Sequence, residues 1–387
     1  MRDFVFYNPT KIIFGQDVIE QTGEQTASLG SKALLVSGEQ SQKKLGNYQT
    51  VRHSLGQAGI EVVEHEGVQP NPILRHVREG IALAQQNRIE VIVALGGGSV
   101  MDSAKAIAAG AMAGHDVWGF FKGKKSIKTA LPIIAVPTLA GSGSETNNGM
   151  VLTNEVTNQK IGIGNRHLFP KIALLDPTVT FSVPPTTTAF GAVDAFSHLL
   201  EFYLHREASF SPVQDHYSVG LMQTLMSACE TALVNPLDYQ SRAELMWASA
   251  LALNGISAAG LGRVEFPCHL VAHSLSALHN IPHGAGLAAI LPGAMTFTAQ
   301  KKPTRLAFFA SQVFGVRETE QQSMAQNGIR LFRQWLQEIA APTSLTDLNL
   351  SQKEIPSLAA NTQAQARLWR LNDYPPEIIE SILWECL

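Results

Sequence analysis

Val91-Ile-Val-Ala-Leu95 runs straight into Gly96-Gly97-Gly98-Ser99-Val100-Met101-Asp102-Ser103-Ala104-Lys105, and this join decides the fold class. The apolar, largely β-branched run reads as a strand buried on both faces, and the Ala-rich stretch after the glycines reads as a helix. A strand that ends in glycines and restarts as a helix is the building step of a parallel sheet covered by helices. The same alternation recurs around it. Candidate strands lie at 32–37, 61–64, 91–95, 133–137 and 173–176, with helical stretches such as 48–58 and 73–86 between them. The pattern changes at Ser182-Val-Pro-Pro-Thr-Thr-Thr188, a helix start and boundary signal. Beyond it strand signals vanish, and long Ala-, Leu-, Met- and Glu-rich segments such as 213–233 and 241–256 predict an all-helical second half. A chain of 387 residues exceeds one usual hydrophobic core, so two domains are expected: an α/β domain over 1–181 and a helical one over 182–387.

Composition excludes several function classes. A net charge of -3 leaves no electrostatic footprint for nucleic acid or for an anionic membrane, and the cluster Lys122, Lys124, Lys125 and Lys128 reads as a solvated loop. The opening Met1-Arg-Asp-Phe-Val-Phe-Tyr lacks the plan of a signal peptide, and no apolar run of about 18 residues spans a bilayer, so a cytoplasmic protein is expected. Cys229, Cys268 and Cys386 are scattered and odd in number, which indicates neither a disulfide framework nor a thiolate metal site.

The glycine run after Leu95 has two readings. Three glycines let the backbone approach a bulky anion, and the helix start aims free amides at it, as a pyrophosphate requires. Alternatively, Ser99 and Asp102 have the Ser-x-x-Asp spacing of a capped helix. Successive glycines cost entropy without giving packing, which favours the anion. The run is not GxGxxG, and the usual acidic residue about 20 positions on is absent. A second loop of small residues, Thr138-Leu-Ala-Gly-Ser142-Gly-Ser-Glu145, follows the strand at 133–137 and would converge on the same crevice, although such clusters are usually plain turns.

Four of the 12 histidines fall within one fifteen-residue stretch: His269, His273, His279 and His283. Upstream, Asp194 and His198 stand at helical spacing. An Asp/His pair at i, i+4 is more often a surface hydrogen bond than a ligand pair. The ligand reading gains from the second cluster, because several imidazoles in an apolar setting are costly to bury without a common partner.

Taken together, Gly-Gly-Gly-Ser-x-x-Asp-x-x-Lys, the Pro137-Thr-x-Ala-Gly-Ser-Gly-Ser-Glu145 loop, Asp194-x-x-x-His198, and His269-x-x-x-His273 with His283-Gly284 resemble the iron-containing (group III) alcohol dehydrogenases. The likeness extends to the opening Phe6-Tyr-Asn-Pro-Thr-Lys-Ile-Ile-Phe-Gly15 and to Asn71-Pro72, and is greatest to the butanol dehydrogenase and broad aldehyde reductase branch. The resemblance implies a dehydroquinate synthase-like fold, with a Rossmann-like parallel-sheet domain, a helical metal-binding domain and an active site in the cleft between them. It implies Asp194, His198, His269 and His283 as metal ligands and His273 as a residue that relays a proton or touches substrate; His279 has an open role. On the nucleotide side it implies Gly97, Gly98, Ser99 and Asp102 near the pyrophosphate and nicotinamide ribose, Thr138, Leu139 and Ser142 around the adenosine half, Asn71 on a ribose and Lys160 beside the cofactor. The family also implies a homodimer.

The cofactors expected are a divalent metal, Fe2+ before Zn2+ or Ni2+, and NAD(H) or NADP(H). Three imidazoles and one carboxylate leave the ion net positive, able to polarise a carbonyl oxygen while hydride arrives. Phe266 and nearby aliphatic residues suit a small apolar aldehyde or its alcohol. Gly38, Glu39 and Ser41 follow an early strand and should approach the adenosine ribose. Glu39 would repel a 2'-phosphate, which favours NAD(H), whereas Gly38 and Ser41 match an NADP-permissive pattern. The alternatives are a glycerol-type dehydrogenase, a metal-dependent cyclising lyase on the same fold, and a non-enzymatic nucleotide-binding protein. A lyase acting on a polyhydroxy acid phosphate needs Arg and Lys near the metal, and Arg206 and Arg263 are the nearest in sequence.

Overall fold

Alternate residues of the central strands serve two different cores. Leu34, Val36, Ile92, Ala94, Ile133, Ala135, Ala173 and Leu175 pack into one cluster. Their neighbours Ala33, Leu35, Val91, Val93, Leu95, Ile134, Val136, Ile172 and Leu174 pack into another. Both faces are therefore dry, which is why these strands read as unbroken apolar runs. The computed structural model describes residues 1–38, 46–208, 211–369, 371 and 373–387.

The strands are β1 Lys11–Phe14, β2 Lys32–Gly38, β3 Glu61–Val68, β4 Val91–Gly96, β5 Ile133–Pro137, β6 Gly149–Asn154, β7 Gln159–Gly164 and β8 Ile172–Leu175. Six form a parallel sheet in the order β1-β8-β5-β4-β2-β3, and β6 pairs with β7 as a separate antiparallel hairpin. The strand expected at 173–176 ends at Leu175. Asp176 leaves it and accepts from Thr178 N at 3.0 Å and Thr178 Oγ1 at 2.6 Å. Chain order reverses between β2 and β4: β3 lies beyond β2 on one side, and β5 beyond β4 on the other. In open α/β sheets ligands bind at the carboxyl ends of strands beside such a switch. Here those ends carry Gly38 as the last residue of β2, Gly96 at the end of β4 with Gly97 and Gly98 after it, and the 138–145 loop after β5.

The chain divides into two compact units, one of Tyr7–Val183 with Pro236–Ala250, the other of Met1–Phe6, Pro184–Asn235 and Leu251–Leu387. This grouping differs from the division expected at 181/182 in two places. Residues 236–250, expected in the helical domain, pack with the sheet because Met246 and Ala250 lie in its core and Ala250 O accepts from Thr146 Oγ1 at 3.1 Å. Met1–Phe6 joins the helical unit, where Arg2 N donates to Gly260 O at 2.8 Å. Among the described residues, no helix is long and apolar enough to cross a membrane.

The helical unit is organised around helix Pro185–Leu204, which packs on helices Pro212–Val234 and His283–Lys301. Its end is fixed by a buried charge cluster. Asp215 takes Arg206 Nη1 at 2.6 Å and Arg305 Nη2 at 3.0 Å, and Arg305 also lies over the Tyr203 ring at 3.7 Å. Burial pushes the Asp215 carboxyl up, but Arg305 and Arg206 outweigh it and hold it below the usual carboxylate value. The stability it contributes is therefore present above the unfolded carboxylate value, near pH 4, and is lost as pH falls through the lower folded value. Asp215→Asn should lower the unfolding free energy by about 3 kcal/mol near neutral pH, because it leaves two guanidinium groups facing a neutral amide. The deficit should shrink in acid. Urea denaturation at both pH values checks this, and a loss under about 1 kcal/mol would show the cluster to be nearly neutral.

Candidate active site

Helix Pro185–Leu204 starts behind Pro184 and buries nearly its whole circumference, yet Asp194, His198 and Glu201 interrupt its apolar surface one turn apart. Helix Pro267–His279 brings His269 and His273 alongside, and helix His283–Lys301 begins on His283. Ligand atoms of Asp194, His198 and His269 all lie within 4.8 Å of one another. His198 Nε2 is 3.9 Å, and His283 Nε2 3.7 Å, from the same Asp194 Oδ1. The His198 and His269 rings stack at 4.7 Å, and His283 stands 5.3 Å from His269. Burial, helped by the neighbouring His269, holds the His198 pKa well below its usual value, so the ring is the neutral imidazole that metals bind. Stacked, buried imidazoles aimed at one carboxylate oxygen are a costly arrangement for a plain core and a suitable donor set for a divalent ion.

His273 lies outside that group of three. It is buried, 5.3 Å from the His283 ring, with Trp369 edge-on at 5.5 Å. His279 is exposed at the carboxyl end of its helix, where Asn280 adopts φ 53° and breaks the helix, so it is not gathered with the others.

Sequence reasoning missed Glu201. Its Oε1 accepts the Cys268 N–H at 2.7 Å and its Oε2 meets His269 Nδ1 in a short hydrogen bond. Burial pushes its pKa up to about 7. The signal was present as a third polar residue on one face of an apolar helix, at i, i+4 and i+7 from Asp194. Trp369 has no local signal, since it lies 96 residues beyond His273.

On the nucleotide side, Gly97 caps helix Gly98–Ala111 without any side-chain hydrogen bond, so Ser99 and Asp102 are not a capping pair. Asp102 instead accepts from Ser144 Oγ at 2.7 Å and from Val151 N at 3.0 Å. Burial raises its pKa against the opposing charge of Lys105. The two small-residue loops do converge. A Cβ on Gly98 would stand 2.5 Å from Ser142 Oγ, and one on Gly97 3.3 Å from Leu139 Cδ2. The expectation that these glycines give no packing is thereby corrected: they let the second loop lie against the first. Lys105 braces the same region from beneath, fully buried, with Nζ donating to Ser144 Oγ, to Asn147 O and Oδ1, and to Gly149 O at 2.7 to 3.0 Å. Burial lowers its pKa to about 8. Lys160 Nζ donates to Asn71 Oδ1 at 2.7 Å, and Asn71 takes the left-handed φ of 59°. Thr138 N donates to Gly96 O at 3.1 Å. Glu39 and Ser41 lie outside the described residues.

The sequence profile of the iron-containing alcohol dehydrogenases matches residues 9–177, and that of the carboxyl-terminal domain of the Fe-containing alcohol dehydrogenase family matches 188–379. The chain belongs to the iron-containing alcohol dehydrogenase family. Within this family it is 37% identical to the probable NADH-dependent butanol dehydrogenase 1 of Bacillus subtilis, over 99% of each chain. It is 33% identical to the NADPH-dependent aldehyde reductase YqhD of Escherichia coli, over 92% of each. Among solved structures, the NADH-dependent butanol dehydrogenase A of Thermotoga maritima matches with a TM-score of 0.96 and 39% identity, covering 100% of this chain and 99% of that one. The iron-containing alcohol dehydrogenase profiles thus account for both halves of the chain, sheet and helices alike.

Proposed function

We propose that this protein is a metal-dependent, NAD(P)-linked alcohol dehydrogenase and aldehyde reductase that interconverts small primary alcohols and aldehydes by hydride transfer. The observation that carries the reading is the convergence of His198 and His283 on one Asp194 oxygen, with His269 in the same group. Asp194, His198, His269 and His283 hold the divalent ion, Fe2+ or a substitute such as Zn2+ or Ni2+. The bound ion supplies a positive charge that polarises the substrate oxygen. His273, buried beside His283 but outside the ligand group, orients the substrate or moves its hydroxyl proton. Phe266, edge-on to His269 at 5.3 Å, and Trp369 beside His273 give the substrate apolar surroundings. Gly97, Gly98, Ser99 and Asp102, with Thr138, Leu139, Ser142, Asn71 and Lys160, bind the nucleotide, and Gly38, Glu39 and Ser41 are assigned to recognition of its ribose. We assign NAD(H) as the preferred cofactor, a reading supported by Glu39 and by NADH-dependent relatives, with the NADPH-dependent reductase as the counter-case.

The lyase alternative finds no support in the arginines. Arg206 is committed to Asp215 at 2.6 Å, and Arg263 pairs with Glu265 at 3.0 Å. A cytoplasmic location fits the odd number and scattered placing of the buried Cys229, Cys268 and Cys386, which lack CxxC spacing. A homodimer fits the exposed apolar run Met1, Phe4, Val5, Phe6 and Tyr7, which a second copy would cover. Loss of reduced-nicotinamide absorbance on adding butanal to metal-loaded protein tests the activity. Turnover with butanal far above that with a glycerol-type carbonyl substrate is expected, and turnover confined to the latter would favour the polyol reading.

A further inference from the structure

Glu201 is a carboxylate buried against the ligand group without being a member of it. It sits one turn after His198 on the same helix and is 1% exposed. Its two oxygens have separate duties: Oε1 accepts the Cys268 N–H at the start of helix Pro267–His279, and Oε2 shares a short hydrogen bond with His269 Nδ1. Imidazole offers a lone pair on only one nitrogen in its neutral form, and a hydrogen bond at the other nitrogen decides which. We propose that Glu201 is a positioning residue for the metal centre: it locks His269 in the tautomer protonated at Nδ1, which leaves Nε2 as the ligand atom, and it pins the start of that helix so the ring faces Asp194 and His198. This rests on the proposed metal-dependent function, and adds a carboxylate–histidine–metal relay of orientation that the ligand set alone does not supply.

Glu201→Gln separates this role from simple packing, because the side chain keeps its size and loses one acceptor. If the amide oxygen serves Cys268 N–H, the amide NH2 faces His269 Nδ1 and can only donate to it. That moves the ring proton to Nε2, where it blocks ligation. If the amide is flipped, the NH2 opposes the Cys268 N–H. Either orientation spoils one of the two contacts.

The test uses full-length protein labelled with 15N-histidine, stripped of metal, with His269→Ala identifying the resonance. The wild type should show His269 protonated at Nδ1 and Glu201→Gln should show it at Nε2 or exchanging. The dissociation constant for Co2+, titrated optically, should rise about 10- to 100-fold while the thermal midpoint stays near that of the wild type. Glu201→Asp, which keeps the charge but draws it back by one methylene, should bind with intermediate affinity and serves if the glutamine variant does not fold. Unchanged tautomer and Co2+ affinity within twofold in both variants would overturn the proposal. A sulfur-to-cobalt absorption band would overturn it as well, because Glu201, His205 and Cys268 also place ligand atoms within 4.8 Å of one another and would then form the cation site themselves. Failure of the wider functional reading looks different: the wild type itself would bind no stoichiometric metal, while the tautomer in metal-free protein would stand on its own.

Discussion

His283→Ala and His269→Ala should each lose bound metal and turnover together, by more than about 100-fold. Changes to groups that merely orient a ligand cost 10- to 100-fold, so removing a ligand should cost more. His283 contributes from the first position of its helix, with its Nε2 3.7 Å from Asp194 Oδ1, the oxygen that His198 Nε2 approaches at 3.9 Å. His273→Ala should separate the two properties. It lies outside the ligand group, so metal content should stay near one per chain while the rate falls by about 10²- to 10⁴-fold, the usual range for a lost proton-transfer group. Metal analysis beside steady-state rates checks all three variants. Equal metal loss in the three would end the division between ligands and His273.

Gly284→Ala is the second large effect. A Cβ at this position would stand 2.2 Å from Phe190 O and 2.7 Å from Phe190 C, both backbone atoms of the helix that bears Asp194 and His198. Carbon contacts settle near ~3.5 Å, so the two helices must separate by about an ångström. Metal–ligand distances tolerate only about 0.2 Å. One methyl group would therefore pull His283 away from Asp194 without touching any ligand. Metal affinity should fall by about 100-fold or more and stability by about 1–3 kcal/mol, measured by equilibrium dialysis and by denaturation. A variant that binds metal like the wild type would show that the helices slide past each other to make room.

The central strands were legible because burial on both faces writes itself as an apolar run, as in Val91 to Leu95. β1 was not, since four residues at a sheet edge carry too little pattern, and the hairpin β6–β7 hid its alternation behind glycines and polar side chains. The helix Tyr239–Leu253 was readable as a helix but not as part of the sheet unit, because only long-range packing of Met246 and Ala250 decides that. At the site, spacing brought out Asp194, His198 and the histidine cluster. It could not separate His279 from His283, because the left-handed Asn280 resets the helix phase between them. Glu201 escaped because a single glutamate on a helix is ordinary until its partners His269 and Cys268, over sixty residues on, are seen beside it. Gly98 stood out in the sequence as an anion site, but its packing role, with Ser142 in the space its missing side chain leaves, shows only in three dimensions.

The most direct test strips the purified protein with a chelator, restores Fe2+ or Zn2+ in steps, and follows metal per chain by elemental analysis in parallel with NADH consumption on butanal. One ion per chain at saturation is expected, with the rate rising in proportion to occupancy and no rise for His269→Ala or His283→Ala. Full activity in the stripped protein, or tight stoichiometric metal binding that survives loss of both histidines, would contradict a metal centre at Asp194, His198, His269 and His283.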